Sequence, residues 1–140
     1  MDIAIWDDSF KTGHNIVDTQ HQELFKMVNQ LHAAIVGGHG KEVLIPTLQK
    51  LASYTIEHFR SEEELMTAAC YPALAEHKKK HEDLAREVGD LMEKYQSGKA
   101  VLSITLSNFL ANWLRHHIKE DDIALVKFLK NQNKAAAANS

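Results

Sequence analysis

The sequence predicts an all-α fold: an antiparallel up-down-up-down four-helix bundle with an N-terminal arm and a short C-terminal helix. Three observations lead there. Helix breakers gather at a few places, namely Gly37, Gly38 and Gly40, Tyr71-Pro72, and Ser97-Gly98, with Gly13 near the start. Between them run segments of about 20 to 25 residues whose apolar positions recur at helical spacing. No alternating strand pattern competes. Four long amphipathic helices on short loops bury their stripes best against antiparallel neighbours.

The elements follow in order. The first 17 residues read as an extended arm, with Ile3, Ile5, Trp6 and Phe10 available to dock on the bundle. The first helix is expected from about Asp18 to Val36, carrying Leu24, Phe25, Val28, Leu31 and Ile35. The second runs from about Lys41 to Thr67, with Leu44, Leu48, Leu51, Thr55 and Leu65. The third starts at Pro72, a residue suited to a first helical turn, and carries Leu74, Leu84, Val88, Leu91 and Tyr95. The fourth spans about Ala100 to Ile118, with Leu102, Leu106, Phe109, Leu110, Trp113 and Leu114. A short fifth helix carries Ile123, Val126, Phe128 and Leu129. Residues 1–130 form the single domain. The tail 131–140, four alanines included, offers nothing to pack and is expected to be disordered.

Composition narrows the function. A chain of 140 residues is long enough to bury a core without disulfides or a structural metal. The net charge of −3 lacks the electrostatic footprint of a nucleic-acid binder. One cysteine, Cys70, allows neither an internal disulfide nor a multi-thiolate metal site. With Asp2, Asp7 and Asp8 near the start, no secretory signal is expected there, and no run approaches a membrane span. A cytoplasmic protein is expected. The nine histidines stand out.

Polar residues interrupt the apolar stripes in a regular way. His21 heads the first stripe, His58 and Glu62 sit on the second, His77 and His81 on the third, and His117 closes the fourth. A spacing of four is only about 40° of rotation, so each pair points one way. Antiparallel topology brings the start of helix one, the end of two, the start of three and the end of four to the same end. Five imidazoles and a carboxylate then meet in one core layer. Buried polar groups need partners, and neutral imidazoles cannot all satisfy one another. Metal answers this. Imidazoles with carboxylates and no thiolate suit iron, zinc or manganese, and so many ligands fit two bridged ions better than one tetrahedral zinc. No histidine follows a glutamate by three residues, which disfavours the ferritin-like carboxylate pattern.

These residues resemble the hemerythrin family, in its single-domain bacterial form, over about residues 5–125. The elements are Trp6, Phe10, Gly13 and Asp18-Thr19-Gln20-His21, then His58-Phe59-Arg60-Ser61-Glu62-Glu63, then Met66 to Tyr71-Pro72. His77 with His81 and Trp113-Leu114 with His117-Ile118 and Asp122 complete the order. The resemblance implies a non-haem diiron centre that binds dioxygen reversibly, as a carrier, store or sensor. It implies two iron ions per chain, one on His77, His81 and His117 and the other on His21 and His58. Glu62 and Asp122 would bridge them together with an oxo or hydroxo group. Dioxygen would sit as hydroperoxide on the iron with two histidines, behind a wall of Leu24, Phe59, Trp113, Leu114 and Ile118. Many relatives carry tyrosine three residues after the bridging aspartate; Leu125 stands here. Asp121, not Asp122, would share a face with His117 on an ideal helix, so the family ligand set requires helix four to end or distort after His117, and a break between Ile118 and Asp122 is expected.

The remaining histidines are read otherwise. His14 and His39 are expected in solvent, and His116 is rotated off the stripe that carries His117. His32 lies ~16 Å along the axis from His21, too far to join the site. Glu63 and Glu64 are rotated about 140° and 240° from His58 and read as a solvated face, as do Lys78 to Lys80. An enzyme on the same scaffold (a diiron oxidase, peroxidase or nitric-oxide-handling protein) is the alternative, and a sensory module a third. The apolar wall offers no acid or base, so binding rather than turnover is expected. Dioxygen is the expected partner, with no nucleic acid or membrane, in a monomer or homo-oligomer.

Overall fold

The computed structural model describes residues 2–138, and their side chains as far as Gln132. Its helices are α1 (Asn15–Val36), α2 (Lys41–Ala68), α3 (Leu74–Gln96), α4 (Ile104–His117) and α5 (Ile123–Ala138). A single π-helical turn, Ile118–Asp122, joins α4 to α5. The described residues include no strand. The four-helix architecture is as expected, and α1 packs on α2 and α4 while α2 packs on α3.

Several boundaries differ from the sequence reading, each for a local reason. α1 starts at Asn15 because His14 caps it, its Nδ1 accepting from the Val17 N–H at 3.3 Å. Asp18 then ties the arm down by accepting from the Thr12 N–H, the Thr12 hydroxyl and the Gly13 N–H. His14 is therefore a half-buried cap rather than a solvated residue. Pro72 belongs to the turn before α3 and not to its first helical turn. α4 begins at Ile104, after an extended Ser103, rather than at Ala100. Of the tail expected to be disordered, Asn131 to Ala138 continue α5, with Gln132 Nε2 donating to the Ala69 carbonyl at 2.8 Å, and residues 139–140 lie outside the described residues.

Three helices end in the same way. After α1 the Gly38 N–H bonds the Ile35 carbonyl and the His39 N–H the Ala34 carbonyl, with Gly38 at φ 71°. α3 repeats this with Gly98 at φ 80°. α2 makes the same paired bonds, Cys70 to Thr67 and Tyr71 to Met66, but its left-handed residue is Cys70 at φ 53°.

The arm docks through backbone and aromatic contacts. Asn29 Oδ1 accepts from the Ile3 and Ala4 N–H groups, and Asn29 Nδ2 donates to the Ala4 carbonyl. Trp6, Phe10 and Phe25 form a cluster with ring centroids 5.0–5.7 Å apart. Ile5 does not dock as expected; it is 67% exposed. The core between the helices is apolar, with Leu31 and Leu48 fully buried. At one end it gives way to a charged layer.

Candidate metal centre

Antiparallel packing brings the start of α1, the end of α2, the start of α3 and the end of α4 together, as the topology requires. His21, His58, Glu62, His77, His81, His117 and Asp122 are all buried there. Their donor atoms form two overlapping groups, each able to hold a metal ion. One is Glu62, His77, His81, His117 and Asp122; the other is His21, His58, Glu62 and Asp122. Within each, the donor atoms lie within 4.8 Å of one another. The two carboxylates belong to both.

The distances are those of a convergent shell. Asp122 Oδ2 is 2.9 Å from His21 Nε2, while Asp122 Oδ1 is 3.0 Å from His77 Nε2 and 3.2 Å from His117 Nε2. Glu62 Oε1 is 3.2 Å from His81 Nε2 and 3.5 Å from His58 Nε2. His21 Nε2, His77 Nε2 and all four carboxylate oxygens are buried without a hydrogen-bond partner. Such orphaned atoms are costly in a dry core, and here they converge on a common centre. Nitrogen and oxygen donors without sulfur fit iron, zinc or manganese.

Asp122 reaches this layer because the helix changes pitch. The Ile123 N–H bonds the Ile118 carbonyl, five residues back. That extra residue per turn carries Asp122 onto the face of His117 and turns Asp121 outward. The expected distortion is a π turn and not a break, since the chain continues into α5.

Charge balance in the layer is set by proximity. Burial pushes His58 down to about 4, against the charge of Glu62. At His21 and His77 burial acts the same way, but contacts with Asp122 and Glu62 outweigh it and push both up to about 9. Burial is likewise outweighed at His117, where the charge of Asp122 and contacts with Asp121 and Asp122 push it up to about 10. Burial and the Asp122 charge would raise Glu62, yet the surrounding imidazoles hold it down to about 2. Asp122 is held well below the carboxylate range, against burial, by His117, His21 and His77. Protons on imidazoles thus offset the carboxylates, the place a bound cation takes.

A second layer of residues holds the imidazoles from behind. The His58 Nδ1–H donates to Gln20 Oε1 at 2.6 Å, and the His81 Nδ1–H to Glu63 Oε2 at 3.0 Å. His117 Nδ1 lies 3.0 Å from Asp121 Oδ2, and Asp121 also pairs with Lys80 at 2.7 Å. Glu63 is thus not part of a solvated face, although Glu64 is exposed. Rotation about α2 alone hid this, because Glu63 turns away from the α2 stripe and toward α3. Lys80 is exposed as expected but also anchors Asp121.

Aromatic rings close the layer. Phe59 stacks on His81 at 3.7 Å and 3°, and Trp113 on His117 at 4.5 Å and 16°. Beneath lies an apolar cavity of about 140 Å³, to which Leu24, Phe59, Trp113 and Leu114 contribute. Ile118, expected in that wall, is fully buried but does not line it. Of the other histidines, His32 bonds Ser107 Oγ at 2.8 Å, and His39 and His116 are exposed. Leu125 is fully buried.

Similarity to known proteins agrees with this geometry. Bacteriohemerythrin of Stenotrophomonas maltophilia is 33% identical over 93% of this chain and 84% of its own. Bacteriohemerythrin of Pseudomonas aeruginosa is 35% identical over 91% and 82%. A wild-type hemerythrin crystal structure superposes with a TM-score of 0.85 at 31% identity, covering 91% of this chain and 98% of its own. Residues 12–129 match the hemerythrin HHE cation binding domain, and the chain belongs to that family.

Proposed function

We infer that this protein binds dioxygen reversibly at a diiron centre. The observation that carries the reading is the pair of overlapping donor groups sharing Glu62 and Asp122. His77, His81 and His117 would hold one iron, and His21 and His58 the other. The two carboxylates span both, which supports two ions rather than one. Iron supplies the electrons that dioxygen binding needs. The half with two imidazoles has the smaller protein ligand set, and dioxygen is assigned to that side.

The surroundings favour binding over turnover. No titratable side chain lines the apolar cavity, so no acid or base stands ready there to carry protons. Leu24, Phe59, Trp113 and Leu114 keep water from the dioxygen side. No described helix is long and apolar enough to cross a membrane.

The test is spectroscopic. The iron-loaded protein is cycled between air and an oxygen-free atmosphere. Charge-transfer bands that appear with air and bleach on deoxygenation, over several cycles and without added substrate, are expected. Bands that form once and never bleach would overturn reversible binding.

A further inference from the structure

The residues behind the imidazoles differ in charge between the two halves of the centre. His81 donates to the carboxylate of Glu63, and Asp121 Oδ2 lies 3.0 Å from His117 Nδ1, close but out of line for a hydrogen bond. On the other half, His58 donates to the neutral amide oxygen of Gln20, and His21 Nδ1 is buried with no partner. Two carboxylates thus back the three-histidine half and none backs the two-histidine half.

We propose that Glu63 and Asp121 are positioning residues that make the three-histidine half of the centre the electron-rich half, with Gln20 keeping the other half neutral. The proposal rests on the diiron reading above. An imidazole whose Nδ1–H is held by a carboxylate is a more basic ligand through Nε2, and it favours the higher-charged state of a metal. An amide carbonyl holds the ring orientation equally well but adds no charge. The asymmetry therefore separates orientation, which both halves have, from electron donation, which one half has. Glu63 is well suited to this. Its side chain is 25% exposed, beside a small surface cavity that Arg60, Glu82 and His81 also line.

Four variants of the whole chain test this, each loaded with iron: Glu63→Gln, Asp121→Asn, Gln20→Glu and Glu64→Gln. Iron per chain is measured first, then the diferrous-to-diferric ratio at one fixed potential in a redox buffer. Glu63→Gln and Asp121→Asn should each raise that ratio roughly threefold or more, and Gln20→Glu should lower it by a similar factor. Glu64→Gln removes the same charge from the exposed face of α2 and should leave the ratio within about twofold. A Glu63→Gln effect no larger than that of Glu64→Gln, or a Gln20→Glu shift in the same direction as Glu63→Gln, overturns the proposal. Wild-type protein that holds iron while the variants show no shift defeats this proposal alone. Wild-type protein that holds no iron defeats the diiron reading too.

Discussion

His117 and Asp122 are five residues apart, yet His117 Nε2 lies 3.2 Å from Asp122 Oδ1. An α-helix would place Asp121 there instead. The π turn of Ile118–Asp122 reverses that choice, leaving Asp121 to face His117 Nδ1 and Lys80. The two aspartates should therefore behave differently. Asp122→Ala is expected to fall below one iron per chain. Asp121→Ala should keep its iron but release it to a chelator about tenfold faster, as loss of a residue behind a ligand does. Elemental analysis and chelator kinetics check both, and the reverse order would refute the assignment.

The metal-free protein should respond to pH in a way set by its imidazoles. His21 and His77 titrate at about 9 and His117 at about 10 when folded, above the 6.5 of an ordinary histidine. A raised folded value stabilises fully below the unfolded value and is lost as pH rises through the folded one. Stability should therefore fall from about pH 6.5 to 10. His58, lowered to about 4, acts oppositely and removes stability as pH falls below 6.5. Iron requires deprotonated imidazoles, so the loaded protein should instead gain affinity for metal as pH rises. Denaturant titrations of both forms between pH 6 and 10 test this; parallel profiles would contradict it.

Leu114, on α4, is buried and lines the apolar cavity. Leu114→Ala should cost about 2–5 kcal/mol of stability in the metal-free protein. The loaded variant should still take up iron and dioxygen, because metal ties the helices together. Its oxygenated spectrum should decay several-fold faster, since water then reaches the site more easily. Equal decay in a fully loaded variant would make Leu114 core packing only.

Cys70 occupies a left-handed position that glycine fills at the ends of α1 and α3. Left-handed backbone costs a side-chain-bearing residue about 1–2 kcal/mol, part of which glycine returns as chain entropy in the unfolded state. Cys70→Gly should raise stability by about 1 kcal/mol without changing iron content. Thermal unfolding of the two proteins checks it, and a loss of stability would contradict the account.

Most of the bundle was legible because each stripe obeys one period and each turn carries its breaker. Six of the seven clustered residues were legible for a related reason: i, i+4 pairs and antiparallel topology fix which ends meet. Asp122 was not legible from helical geometry, because a π turn leaves no simple mark on composition; the family resemblance supplied it. Glu63 escaped because its partner, His81, is on another helix, and rotation about α2 says nothing of what α3 presents. Asn131 to Ala138 carries no stripe from which a helix could be read, although alanine needs none to remain helical.

The centre as a whole stands on its stoichiometry. On the diiron reading proposed above, each of the two donor groups sharing Glu62 and Asp122 would hold one iron. Elemental analysis of protein freshly prepared from iron-replete cells measures this directly. Two irons per chain is the expected result; one metal per chain, or zinc alone, would contradict the account.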